Sequence, residues 1–242
     1  MIRNLLYISL APVAIIGLYV YIRDKYEKEP VICLLKALFI GVLLVLPIVL
    51  VESITGQFSN DFPAAARPFY NGFFVAALTE EGFKFGAFML FIWKSRDFNE
   101  KFDGIVYAVY ISLGFAAIEN IFYVYKGGYD VGLLRALTAV PAHALFATVM
   151  GYHFANAKFY PEKRSRELFL AFLVPFAWHG LYDSLLMIKK EVFLLVFIPV
   201  FILYWFIAFK RMNELSAGSV FRNDLPLPEP DDGDDFQDII TG

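Results

Sequence analysis

Long apolar runs separated by short charged segments dominate the chain. In a medium without water a spanning backbone must satisfy its own hydrogen bonds, so runs of this length predict transmembrane helices. Seven are predicted, at 4–22, 31–51, 69–93, 104–125, 131–157, 167–188 and 192–209. The first resembles a secretory leader, but the 18 residues from Leu5 to Ile22 carry no charge. That is longer than a cleavable apolar region, and no convincing cleavage site follows, so a retained helix is expected. The expected fold class is all-α, a polytopic membrane protein with about seven transmembrane helices.

Composition supports this. Hydrophobic residues make up 59% and charged residues 19% of 242 residues. Mean hydropathy is +0.58, and 27 Phe and 14 Tyr add aromatic bulk. A water-soluble fold of this size could not hide that much apolar surface, so the lipid bilayer is an expected partner. One cysteine, Cys33, excludes a disulfide scaffold. A net charge of −3 gives no ground for a nucleic-acid partner. No internal repeat and no Gly-rich phosphate loop is found.

Lys and Arg set the orientation. Arg23, Lys25 and Lys28; Lys94, Arg96 and Lys101; Lys158, Lys163, Arg164 and Arg166; and Lys210, Arg211 and Arg222 fall on one side. Only Arg3, Arg67, Lys126, Arg135, Lys189 and Lys190 fall on the other. The N-terminus is therefore expected outside and the C-terminus in the cytoplasm. The chain divides into two N-terminal helices (1–68), a core (69–190), a last helix (191–212) and a tail (213–242). The tail holds Pro226, Pro228, Pro230 and a run of aspartates from Asp231. Low hydrophobicity and charge of one sign predict a disordered, acidic, solvated segment there.

Five chargeable side chains sit deep in predicted helices: Glu80, Glu81, Lys84, Glu119 and Asp183. At roughly 2.5–3.5 kcal/mol each, isolated in lipid they would cost about 12–17 kcal/mol. They must face one another or a wet cavity. On a helical wheel Glu81 falls about 100° and Lys84 about 40° from Glu80, so the lysine lies between both carboxylates. Gly82 and Gly86 on that helix form a small-xxx-small pair that lets a neighbouring helix approach. Phe115 shares a face with Glu119, and His179 with Asp183, whose carboxylate can orient the imidazole. Counted from the outer helix ends, Asp183, Glu119, His179, Glu80 and His143 lie about 8–18 Å deep. Four helices thus place polar groups in one slab. Phe115 is expected to pack, His153 to be interfacial, and Trp178 and Trp205 to pack or face lipid.

Three chemistries fit such a cluster. A carboxylate could activate water for hydrolysis while a histidine supports the oxyanion or the leaving group. Carboxylates and imidazoles could hold Zn²⁺, although no H-E-x-x-H is present. The same groups could form a proton or cation relay for transport, although no matching broken helices are found.

Glu80-Glu81-Gly-Phe-Lys84 fits E-E-x-x-K. Phe115-Ala-Ala-Ile-Glu119-Asn120 fits F-x-x-x-E-N, preceded by Phe102-Asp103-Gly104-Ile-Val-Tyr107. Pro141-Ala-His143-Ala and His179-Gly-Leu-Tyr-Asp183 follow in order. Together these resemble the PrsW family of bacterial intramembrane proteases, grouped with the type II CAAX prenyl proteases and the Abi proteins. The likeness spans about residues 72–188. It implies a CAAX-protease-like helical bundle in a bacterial cytoplasmic membrane. It also implies a glutamic-type endopeptidase needing no metal, with Zn²⁺ as the alternative. The implied catalytic residues are Glu80, Glu81, Glu119, His143 and His179, supported by Lys84, Asp183, Phe115 and Asn120. CAAX relatives carry a histidine where this chain has Glu119, and H-x-x-x-N where it has His179 and Asp183. An ionised Asp183 cannot donate to an oxyanion, so it is expected to orient His179. The implied substrate is a membrane protein, an anti-sigma factor or similar single-span protein, cut first on its extracytoplasmic side.

Overall fold

The computed structural model describes residues 2–188, 191–219 and 221. Among these there are helices and no strands. We label seven rods. They are α1 (Ile2–Arg23) and α2 (Val31–Thr55); α3, made of the consecutive pieces Arg67–Phe69, Tyr70–Ala77, Leu78–Ala87 and Phe88–Ile92; α4 (Lys101–Leu137); α5 (Ala139–Phe159); α6 (Arg164–Ile188); and α7 (Glu191–Ala217).

Among the described residues four stretches are long and apolar enough to cross a membrane: Asn4–Arg23, Val31–Asp61, Lys101–Phe159 and Pro161–Ile188. The third, 59 residues, would extend about 88 Å as one rod, far beyond one bilayer. It is broken twice. Gly128 takes φ 78°, ψ −163°, a left-handed conformation that glycine alone adopts without steric cost. Thr138 leaves helical geometry at φ −123°, ψ −68°. The expected span 131–157 therefore splits: α5 starts at Ala139, and residues 129–137 form a separate short piece.

α4 is the central helix. From Phe102 to Ala117 nearly every side chain is buried, whichever way it points, as expected of a helix apolar all round. Close backbone approach fixes its neighbours. At Gly41 and Gly114 a Cβ would fall 1.9 Å from the carbonyl oxygens of Ile111 and Leu38, which locks α2 on α4. Gly104 meets Gly151 in the same way between α4 and α5.

The joint between α3 and α6 is at Gly72 and Gly180. There a Cβ would lie 2.4 Å from Ser184 Oγ and 2.3 Å from Phe73 Cδ1, respectively. The expected pair does not serve: nothing lies within 4 Å of a Cβ at Gly86, and only Phe172 touches one at Gly82. Residues Tyr70–Ala77 and Phe88–Ile92 are π-helical, with Leu78 N bonded to Phe73 O and Trp93 N to Phe88 O. Each π turn resets the helical phase, so Leu78–Ala87 keeps its own facing between two rotated ends.

The four Lys/Arg-rich segments meet at one end of the bundle. Arg23 bonds Asn213, Asn99 bonds Glu27, and Ser219 bonds Glu100. Glu100 and Asp103 cap α4 reciprocally. Burial pushes the Asp24 carboxyl up to about 7, helped by Glu100 and Glu29 and opposed by the Glu29 N–H bond. Burial also lifts Glu29 to about 7, against a hydrogen bond from Tyr107.

α7 runs past its expected end. Met212 and Leu215 are core residues and the helix continues to Ala217, so the segment after 212 begins as packed helix. The aspartate-rich stretch lies outside the described residues. His153 is buried, with Nδ1 2.7 Å from Glu167 Oε2, and ties α5 to α6. Trp178 packs on Tyr204, and Trp205 on Phe209.

Candidate active site

Four rods bring their polar groups together. From α3, Lys84 Nζ donates to Glu80 Oε2 at 2.9 Å and to Glu81 Oε1 at 2.8 Å. The ammonium also lies 3.3 Å from His143 Nδ1 on α5 and 4.7 Å from the Phe115 ring centroid on α4. An ammonium has donors only, so His143 Nδ1 accepts. The proton of a neutral ring then sits on Nε2, which faces Glu119 Oε2 at 3.0 Å. Ser112 Oγ donates to the His143 carbonyl at 3.0 Å and holds that turn against α4.

His179 on α6 faces the other half of the α3 pair. Its Nδ1 is 2.8 Å from Glu81 Oε1, and its Nε2 is 3.3 Å from Asp183 Oδ2 and 3.9 Å from Glu80 Oε1. Phe146 stacks on the ring with centroids 5.0 Å apart. Both ring nitrogens thus face carboxylate oxygens, an arrangement that calls for two N–H donors. The rings of His143 and His179 are 5.5 Å apart and perpendicular.

Exposure divides the cluster into a dry floor and a wetter rim. The side chains of Glu81, Lys84 and His179 are 1–3% exposed, whereas Glu119 and Asp183 are 21% and 20% exposed. Glu81 is held twice through Oε1 while its Oε2 is buried without a partner. Glu80 has one oxygen on Lys84 and the other turned toward His179 Nε2, between floor and rim. A water there would meet a carboxylate acceptor and an imidazole donor, the two groups needed for hydrolysis.

All of Glu80, Glu81, Lys84, His143, His179, Glu119, Asp183 and Phe115 join this constellation. Glu119 is set apart from Glu80 by His143 and is bound by Arg135 Nη2 at 2.7 Å. Asn120 stands behind it, accepting from Arg135 Nε at 2.9 Å and donating to the Ser9 carbonyl of α1 at 2.8 Å.

Two groups escaped the sequence reading. Arg135 was placed among the outer basic residues, and only the break at Gly128 folds it back onto Glu119. The Gly127-Gly128 pair was the available signal. Glu52 lay one residue beyond the expected end of the second span. In the structure α2 continues to Thr55, and Glu52 lies within electrostatic reach of Glu80, Glu119, His179 and Lys84.

Donor atoms of Glu80, Glu81, His143 and His179 lie within 4.8 Å of one another. Two carboxylates and two imidazoles are ligands that Zn²⁺ accepts. The Lys84 ammonium already takes three of these donors, Glu80 Oε2, Glu81 Oε1 and His143 Nδ1.

The family model described as PrsW family intramembrane metalloprotease matches residues 29–209. A protein named Protease PrsW from Oceanobacillus iheyensis is 37% identical over 218 residues, covering 90% of this chain and 98% of that protein. One of the same name from Clostridioides difficile is 35% identical over 217 residues, covering 87% and 91%. The Bacillus subtilis protein of that name is 31% identical over 207 residues, covering 85% and 93%. No solved structure matches the chain.

Proposed function

The chain belongs to the PrsW family and is a membrane-embedded peptidase, and from that premise we propose that it is an endopeptidase whose Glu80 activates the attacking water. The observation that carries this reading is the placement of Glu80 Oε1, 3.9 Å from His179 Nε2 at the boundary between floor and rim. Lys84 holds the other Glu80 oxygen at 2.9 Å, which fixes the carboxylate with Oε1 turned toward the site. Glu80 takes one proton from water as the oxygen attacks the scissile carbonyl. The N–H of His179 Nε2, shared with Asp183, supports the developing oxyanion. Glu80 then passes its proton to the departing amine, leaving a new carboxyl and a new amino terminus. Glu81 and Asp183 fix the imidazole from its two sides. Glu119, held by Arg135, keeps His143 in the tautomer whose Nδ1 accepts from Lys84.

The four-donor set supports a second reading. Zn²⁺ held by Glu80, Glu81, His143 and His179 would lower the pKa of its water and polarise the carbonyl. Lys84 supports the metal-free reading, because its ammonium lies among these donors and supplies positive charge there.

The chain is read as seven spans in a bacterial cytoplasmic membrane, N-terminus outside, with the rim toward the exterior. The proposed substrate is a single-span membrane protein such as an anti-sigma factor, cut on its extracytoplasmic side. The test compares membrane-peptide fragments from cells holding wild-type or Glu80→Gln protein. Fragments present only with wild type support the proposal, and identical fragment sets overturn it.

A further inference from the structure

Glu52 lies on α2, one helical turn beyond Ile48. Ile48 is fully buried against Phe115, the residue whose ring underlies the Lys84 ammonium. Residues four apart share a helix face, so Glu52 is aimed at the rim of the site. The charges within its reach are Glu80, Glu119, His179 and Lys84. It is half-buried. Its backbone carbonyl serves Gly56 N–H and Thr55 Oγ1, but its carboxylate makes no hydrogen bond or ion pair among the described residues.

Every other acid around the site has a cationic or imidazole partner. Glu80 and Glu81 share Lys84, Glu119 has Arg135 and His143, and Asp183 has His179. Five carboxylates therefore face two fixed cations and two imidazoles. Of the five, the carboxylate without a partner is Glu52. The buried, unpartnered Glu81 Oε2 reports the same surplus of acceptors over donors. A half-buried carboxylate without a partner is costly to ionise, and a cation brought to it gains more than it would in water.

We propose that Glu52 is a specificity-determining residue that receives a basic side chain, lysine or arginine, flanking the scissile bond of the substrate. The inference rests on the peptidase reading above. Substrate binding then completes the charge balance of the site, and an acidic residue at the same substrate position meets Glu52, Glu80 and Glu119 together.

The test uses the full-length enzyme in liposomes with a single-span reporter whose cut has been mapped as present with wild type and absent with Glu80→Gln. Lys, Gln and Glu are placed in turn at each position flanking that cut. At one position wild type should prefer Lys over Glu by about tenfold or more in kcat/KM, since like charges juxtaposed in an interface are strongly disfavoured. Glu52→Gln should bring that ratio to within about twofold, and Glu52→Lys should reverse it. Equal wild-type rates on all three forms overturn the inference. So does Glu52→Gln slowing all three equally, which would make Glu52 a proton carrier for the chemistry. The isosteric Glu52→Gln result decides if Glu52→Lys does not fold. Absence of any fragment dependent on Glu80 would instead overturn the peptidase reading.

Discussion

Replacing Lys84 by Met should cost both stability and chemistry. The ammonium is 2% exposed and is held between two carboxylates, 6% and 1% exposed, at 2.9 and 2.8 Å. Met keeps the chain length and removes the charge. Two buried carboxylates then face each other without the ammonium between them, and the His143 Nδ1 lone pair loses its donor. Removing one partner of a buried ion pair costs about 3–5 kcal/mol. At about 2–4 °C per kcal/mol for a chain of this size, thermal unfolding in detergent should fall by about 6–20 °C. Without the ammonium Glu80 loses the contact that positions it as the base, so cleavage should fall by about 10²–10⁴-fold. Adding Glu80→Gln to Lys84→Met should restore part of the lost stability and none of the activity, because it removes the stranded charge but not the need for a base. A Tm within about 2 °C of wild type for Lys84→Met, with cleavage retained, would refute the reasoning.

Other outcomes follow from the same geometry. Gly180→Val drives a Cβ into Phe73 at the joint of α3 and α6 and should lower Tm by several degrees and reduce cleavage with it; unchanged Tm and activity would show that the joint does not set the site. Asp24 and Glu29, at the charged end, bind protons more tightly folded than unfolded, being raised from 3.8 and 4.5 to about 7. The stability those protons give is full below about pH 4 and lost as pH rises through about 7. Tm in detergent should fall over that window and fall less in Asp24→Asn, while a Tm rising with pH would contradict the assignment. Chelation followed by elemental analysis should leave cleavage unchanged in metal-free enzyme, and loss of activity restored by added Zn²⁺ would favour the metal reading.

The sequence revealed the cluster because membrane burial makes charge conspicuous. Glu80, Glu81, Lys84, Glu119 and Asp183 had to meet, and the i+3 and i+4 spacings fixed which of α3's side chains touch. What it hid came from breaks in helical regularity. An apolar count carries no mark for the left-handed turn at Gly128, so Arg135 read as a loop cation rather than the partner of Glu119. π-helical turns on either side of Leu78–Ala87 rotate the rod, so Gly72 rather than Gly82 and Gly86 meets the neighbouring helix. Glu52 was lost because the hydropathy of α2 drops one turn before the helix does. The pairing of His153 with Glu167 was hidden because the two lie on different helices.

The central claim is that Glu80 activates water within a pocket shared by α3, α4, α5 and α6. The most direct measurement is cleavage of a mapped single-span reporter by purified enzyme in ¹⁸O-labelled water, read by mass spectrometry of the new carboxyl terminus. Wild type should place label there, and Glu80→Gln, shown to be folded, should yield no product. Cleavage by Glu80→Gln within about tenfold of wild type, or an unlabelled product, would contradict the account.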